Sequence, residues 1–399
     1  MKRKHTKSTI TLCLLIGLFI ANIVGKFAQD SMLNKIYIIS AIGIDKSKRG
    51  YVTTLQIINP AFNSKEGAAE QGAYSYSVQG RTIPEAIERI HNRIPRTIFL
   101  DDTEVVIIGE SLVKSEGISS LTHYFLRESN FPSNLRFVLS KGVTPDKLLQ
   151  IFTPVQKISG SRFEEMLNRK QESWGELSNM TADKVAGMLK QKRTELTIPY
   201  ITIKGQPSKG ISKSNIEKAT PDALLEMDGL AVFRHQRLSY WLSSSESTLY
   251  ALTRTKIHDT TLVTKCRKQS GYVTWKDVQS KPDIHLQNKK GVPSYLLQVH
   301  IKGKLSDVSC NMDSSTVQAI ARLEHDAEHE LQKHIHKLIA KTQHKKTDID
   351  GFGEALYRKQ LDRWNLVKNN WDSVYSTVPI RTKVKFDLLD PGEISSQLN

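Results

Sequence analysis

Cysteine is scarce in this chain: three residues among 399, namely Cys13, Cys266 and Cys310. Three cysteines at these spacings cannot build the dense framework of a disulfide-stapled secreted domain, nor a C-x-x-C metal or redox pair. Long apolar runs are equally rare. After residues 10–24 no stretch approaches the ~18 apolar residues of a spanning helix, which excludes a multi-span membrane protein. Acidic residues fall short of basic ones, 41 against 57, and the formal net charge is +16. No signature of basic residues interleaved with aromatics accompanies that excess, so no nucleic-acid partner is expected. A basic surface facing an anionic membrane or wall polymer fits the charge better. Hydrophobic residues make up 39% and charged residues 25%, ordinary values for globular chains. The length predicts two or three domains with cores that stand without staples.

The first stretch sets the topology. Lys2, Arg3, Lys4 and Lys7 lead into the apolar run ITLCLLIGLFIANIV at 10–24, the layout of an export signal. Its fifteen residues reach roughly 23 Å as a helix, short of the ~30 Å hydrocarbon core. Ile23-Val24-Gly25 is a poor cleavage site and Lys26-Phe27-Ala28 a worse one, so a retained anchor is preferred over a cleaved signal. Residues 1–27 are thus expected to tether the chain, with the basic end inside and the rest exported. Whether Cys266 and Cys310 pair in that oxidising location is open.

Beyond the anchor, the pattern predicts an α+β fold: a multi-subdomain ectodomain of mixed, largely antiparallel sheets packed with helices. Alternating β-branched and aromatic residues at 36–44 and 51–58 read as a strand pair, followed by strands at 74–78, 104–108, 135–139 and 196–203. Thr82-Ile83-Pro84-Glu85 opens a helix reaching about Arg93. Further helices are expected over 111–128, 160–173 and 181–192. The polar stretch 205–224, rich in Gly, Ser, Lys and Pro, is the best linker candidate. It separates an N-terminal α+β domain (28–204) from a C-terminal one (225–399), with a third subdomain boundary unassigned. The second half begins with a hairpin, 231–233 against 238–242, around His235-Gln236, and strands are expected to follow through 295–305. One long amphipathic helix is predicted over 313–342, with the stripe Val317, Ile320, Ala327, Leu331, Ile335 and Leu338. A second helix is expected over 353–370, and a final strand over 380–388.

A search for chemistry returns no catalytic, cofactor-binding or metal residues. His325 and His329 stand four apart on the long helix, but the glutamate of a zinc-protease helix is missing after the first. With His336 they fall opposite the apolar stripe, the geometry of a solvated face. GQPSKGIS at 205–212 has the glycine spacing of a phosphate loop, with isoleucine where the lysine must stand. No G-x-S-x-G elbow occurs, and Asp101-Asp102 reads as a turn.

Three segments nevertheless match one pattern. Ser40-Ala41-Ile42-Gly43-Ile44-Asp45 resembles the opening strand of the Ger(x)C family, the C subunits of spore germinant receptors. Asp228-Gly229-Leu230-Ala231-Val232-Phe233 and its hairpin partner resemble the same family. So do Asp348-Ile349-Asp350-Gly351-Phe352-Gly353, Trp364, Trp371 and the last strand. The resemblance implies a non-enzymatic, lipoprotein-like subunit on the outer face of the spore inner membrane. It also implies integral-membrane partner subunits of the A and B type, with which the family responds to small nutrients. The motif residues Gly43, Asp45, Asp228, Gly229, Phe233, Asp350, Gly351, Phe352, Gly353, Trp364 and Trp371 read as architectural, the two tryptophans packing on the sheet. One departure stands out: the family's signal ends in a lipobox cysteine, while this chain reads Gly25-Lys26-Phe27. Cys13, preceded by Leu12 inside the apolar run, is a poor substitute, so the uncleaved helix is the expected tether. An exported solute-binding protein or an envelope-acting enzyme is the alternative.

Overall fold

The computed structural model describes residues 36–59, 72–153, 158–267, 270–289, 292–310 and 316–390. The expected signal or anchor at 1–27, with Cys13, lies outside them. Among the described residues, no helix is long and apolar enough to cross a membrane.

Two sheets carry the fold. The larger has nine strands. Its first three, β1 (Ile36–Ser47), β2 (Gly50–Ile58) and β3 (Ala73–Gly80), form an antiparallel meander. β4 (Thr97–Phe99) pairs parallel with the start of β1. β5 (Val105–Gly109), β6 (Arg136–Ser140) and β7 (Thr197–Gly205) then join in parallel, β5 against β1. β8 (Ala223–Arg234) and β9 (Arg237–Ser243) close the sheet in antiparallel fashion. The sheet is mixed, as the sequence predicts, but its centre is parallel, where a largely antiparallel arrangement is expected. The reason is visible in β5 (VVIIG) and β6 (RFVLS), whose residues are all buried: strands covered on both faces need helical crossovers and lose the alternating pattern.

The helices supply that cover. α1 (Ile83–His91), α2 (Glu110–Ser115), α3 (Ser119–Arg127) and α6 (Ala182–Gln191) pack on one face, around Ile42, Ile44, Val106, Ile108 and Phe137. α4 (Pro145–Gln150), α5 (Ser159–Trp174) and α9 (Ser244–Arg254) pack on the other, around Ala41, Val105, Ile107 and Val138. Successive residues of β1 and β5 thus serve opposite cores, as strand geometry requires. α1 begins as predicted, with the Thr82 hydroxyl accepting from the Glu85 amide at 3.2 Å. α9 starts from a full capping box between Ser243 and Glu246.

The smaller sheet has the order β10 (Leu262–Lys265), β11 (Tyr272–Lys289), β12 (Val292–Val308) and β13 (Ile380–Asp390). Its inner face, including Trp275, Val299, Ile301, Val384 and Phe386, merges with the second core of the large sheet. α10 (Val317–Lys345) lies along that inner face and buries Ala319, Leu323, Ala327, Leu331, Ile335, Leu338 and Ile339. The expected stripe is right from Ala327 onward. At the N-terminal end it shifts to Ala319 and Leu323, leaving Val317 82% exposed. His325, His329 and His336 face solvent. α10 also seals the outer edge of β13: Glu328 accepts from the Phe386 amide at 3.0 Å and Glu324 from the Leu388 amide at 2.7 Å. Four residues along a helix and two along a strand both advance about 6 Å, so the two registers fit. Cys266 and Cys310 are joined, tying the end of β10 to the end of β12.

The stretch 205–224 does not run free between two bodies. It connects β7 to β8, neighbouring strands of one sheet, through the short helices α7 (Pro207–Gly210) and α8 (Ser214–Glu217). Asn215 is wholly buried and bonds Phe152 and Ala223. Its polar composition reflects an exposed turn region; the pairing of β7 with β8 holds it in place.

Candidate functional site at the junction of the two sheets

The motif residues group into two places. In the large sheet, Gly43 lies mid-strand in β1, and Asp45 accepts from the Lys46 amide at 2.7 Å and from the Ser111 hydroxyl. Asp228 and Gly229 sit in β8, where Tyr200 donates to the Asp228 carbonyl at 3.0 Å. Gly229 has φ +152°, and a Cβ there would overlap the Leu242 carbonyl, so glycine is required. Phe233 is fully buried at the end of the same strand.

The C-terminal motif forms the junction itself. Asp348, buried to 3% exposure, accepts four hydrogen bonds. Gly351 (2.8 Å), Phe352 (3.0 Å) and Gly353 (2.7 Å) donate their amides, and Trp371 donates its indole N–H (3.0 Å). The three amides open the helix α11 (Phe352–Lys359), so one carboxylate satisfies donors that a helix start otherwise leaves unpaired. Burial raises the Asp348 carboxyl above the usual aspartate range, and the four donors pull the other way. Gly351 takes φ +88° to aim its amide inward, a left-handed conformation that favours glycine. Asp350 accepts from the Thr253 hydroxyl of α9 at 2.7 Å; burial pushes its carboxyl up to about 7.

Trp364 lies in α12 (Leu361–Val367) and Trp371 opens α13 (Trp371–Tyr375). The predicted single helix over 353–370 is broken by Gln360, at φ −148°, and by a 3₁₀ turn at Lys368–Asn370. The indoles still meet edge to face, 5.5 Å between centroids. Tyr295 of β12, Phe352 and Tyr375 continue the aromatic row.

This loop is keyed into the large sheet. The Glu195 amide donates to the Asp348 carbonyl at 2.8 Å, the Tyr250 hydroxyl to the Ile349 carbonyl at 3.0 Å, and Tyr240 bonds Thr347 at 2.9 Å. Arg193 pairs with Glu354 at 3.2 Å and Lys341 with Glu246 at 2.7 Å.

Beside it opens a cleft of about 680 Å³, lined by Lys192, Glu195, Arg234, His235, Trp371 and Asp372. His235 occupies the β8–β9 turn at φ +58°. Its amide donates to Glu195 at 2.8 Å, and its ring lies 3.7 Å from Glu195 and 3.4 Å from Asp372. Burial, then the Asp372 charge, pushes the Glu195 carboxyl up to about 8. Candidate ligand atoms of Glu195, His235 and Asp372 lie within 4.8 Å of one another. The Arg234 guanidinium already holds the same Asp372 oxygen at 3.1 Å, so the cluster works as a charge-balanced clasp between the β8–β9 turn and α13. Protonation of the Glu195 carboxyl is the chemistry it offers.

The sequence motif includes Asp348, but only Asp350 is counted there among the architectural residues, although an aspartate at a helix start is a readable capping signal. Glu195, Arg234 and Asp372 carry no such signal: each is an ordinary surface-type residue until the fold brings 195, 235 and 372 together.

Residues 30–203 match the family described as "Spore germination protein N-terminal domain", and residues 228–392 match "Spore germination B3/ GerAC like, C-terminal". The chain is 29% identical over 362 residues to spore germination protein KC of Bacillus subtilis (strain 168), covering 88% of this chain and 89% of that protein. It is 21% identical to spore germination protein B3 of the same organism, over 86% of this chain and 88% of the other. The crystal structure of the GerBC protein shares the fold, with a TM-score of 0.54 at 17% identity, covering 87% of this chain and 96% of that one. These relatives bear the names of germination proteins, not of enzymes.

Proposed function

Because the chain belongs to the Ger(x)C family of spore germination proteins, we propose that it is a membrane-tethered, non-enzymatic subunit of a spore germinant receptor. It sits on the outer face of the spore inner membrane and acts through contacts with integral-membrane partner subunits of the A and B type. The observation that carries this reading is the match of both family regions, in order, along the chain. The apolar run at 10–24 supplies the tether, and the Cys266–Cys310 bridge suits an exported domain. The division into 28–204 and 225–399 belongs to the same proposal, as two sequence modules that share one sheet.

Deletion of the gene tests the reading. Spores lacking the chain are expected to lose the germination response to one nutrient or nutrient mixture, with the responses to others retained. Spores that respond normally to every nutrient of a panel would contradict it. The charged cleft beside Trp371 favours a second reading, direct capture of a small zwitterionic nutrient. Calorimetric titration of the purified full chain with amino acids separates the two: heat with a single saturable site favours capture, and no heat favours action through partners.

A further inference from the structure

The outer face of the small sheet has a composition that its structural role does not explain. Paired residues on neighbouring strands share a face, and the ladder places Lys281, His300 and Lys385 in one row and Asp283, Gln298 and Lys383 in the next. The inner rows that alternate with them hold Val299 with Val384 and, one step further along, Ile301 with Phe386. Lys276, Lys281, Lys302, Arg381, Lys383 and Lys385 are all exposed on the outer side. Of the aspartates there, Asp277 pairs with Lys304, Asp283 with His285, and Asp387 with Lys385 and His300; Asp307, opposite Thr274, is exposed, and the lysines outnumber it. Among the described residues, Lys276, Lys281, Lys302 and Lys383 have no ion-pair partner.

Like charges set across and along neighbouring strands repel and weaken a sheet. A solvated face needs no such excess of one sign. Two large apolar residues share this side near the end of the sheet, Val263 at 59% and Tyr272 at 52% exposure. They are diagonal neighbours across the β10–β11 ladder. A broad cationic face with an exposed tyrosine and an apolar neighbour is the chemistry of a surface that meets lipid headgroups. The tether limits the distance: the eleven residues between Val24 and Ile36 span at most about 40 Å.

We propose that the outer face of the β10–β13 sheet docks on an anionic bilayer surface, so that the tethered ectodomain lies against the membrane with this sheet as its floor. The proposal rests on the membrane-tethered reading above, and the two can fail separately. The test reconstitutes the full chain into vesicles of phosphatidylcholine alone, or with about a third phosphatidylglycerol, and maps lysine acetylation by mass spectrometry after flotation. Lys276, Lys281, Lys302 and Lys383 are expected to react at least threefold more slowly in the anionic vesicles. Half-molar salt is expected to restore their rates, while Lys147 and Lys190 on the large sheet's helices keep theirs. A variant with K281E, K302E and K383E is expected to lose the protection while remaining folded by circular dichroism.

If the chain floats with both vesicle types and these lysines react equally in each, the docking face is overturned and the tether stands. If it floats only with anionic vesicles and the lysines are protected, the tether is overturned and the face stands. Failure to float with either overturns both. Protection seen only in a co-purified receptor complex would assign the face to an acidic protein and overturn the proposal.

Discussion

The two sheets solve different problems with the same kind of strand. β1, β5 and β6 are covered on both faces, and seven consecutive residues of β1, from Ile39 to Asp45, are buried. β11, β12 and β13 are covered on one face only, and their residues alternate between core and lysine-rich exterior. A strand with two buried faces contributes apolar area from every residue, each fully buried aliphatic side chain supplying about 2 kcal/mol. A strand with one open face leaves half its positions free for a surface role. The large sheet is therefore the frame, the small sheet presents a surface, and the Asp348 loop joins them.

This contrast can be broken at the joint first. Asp348→Ala removes acceptors from four buried donors and is expected to cost roughly 4 kcal/mol, read as a lower urea midpoint. Asp348→Asn, which keeps the acceptor facing Gly351 and Phe352, is expected to cost less. Equal stability of wild type and alanine variant would show that the joint does not depend on this carboxylate. In the frame, Ile107→Ala is expected to lose about 3 kcal/mol, because its neighbours on either side serve two cores and cannot collapse inward. Cys266→Ser together with Cys310→Ser opens a loop of 44 residues and is expected to cost about 3 kcal/mol. That loss should be confined to the small sheet, as hydrogen exchange of β10 to β12 would reveal.

The clasp gives a pH signature. The Glu195 carboxyl, pushed up to about 8, holds a proton in the folded chain that the unfolded chain releases near 4.5. Its contribution is fully present below 4.5 and is lost as pH rises to about 8, with a slope of at most about 1.4 kcal/mol per pH unit. Glu195→Gln is expected to flatten the decline in stability between pH 5 and 8; an unchanged slope would remove Glu195 from the account. At the open face, Lys281→Ala and Lys383→Ala are expected to stay within about 0.5 kcal/mol of wild type. A larger loss would mean that these lysines support the sheet rather than a partner surface.

Much of the frame was readable because local signals agreed. The β1–β2 pair, the β8–β9 hairpin around His235 and the C-terminal half of the α10 stripe all follow from periodicity and turn residues. The parallel pairing of β5, β6 and β7 was hidden, since a doubly buried strand shows a plain apolar run without direction or partner. The role of 205–224 was hidden for a related reason: polar composition marks exposure, not whether the flanking strands pair. Glu324 and Glu328 drew no notice beside His325 and His329, yet the glutamates close the β13 edge while the histidines face solvent. The clasp joins residues 195, 235 and 372 through tertiary folding alone, and no local pattern announces it.

Action inside a membrane receptor is the proposed role of this chain. The most direct measurement is purification of the tagged full-length chain from detergent-solubilised spore membranes, with the co-purifying proteins identified by mass spectrometry. Two integral-membrane proteins recovered in constant stoichiometry with the chain are the expected result. Recovery of the chain alone, from membranes in which such proteins are present, would contradict the account.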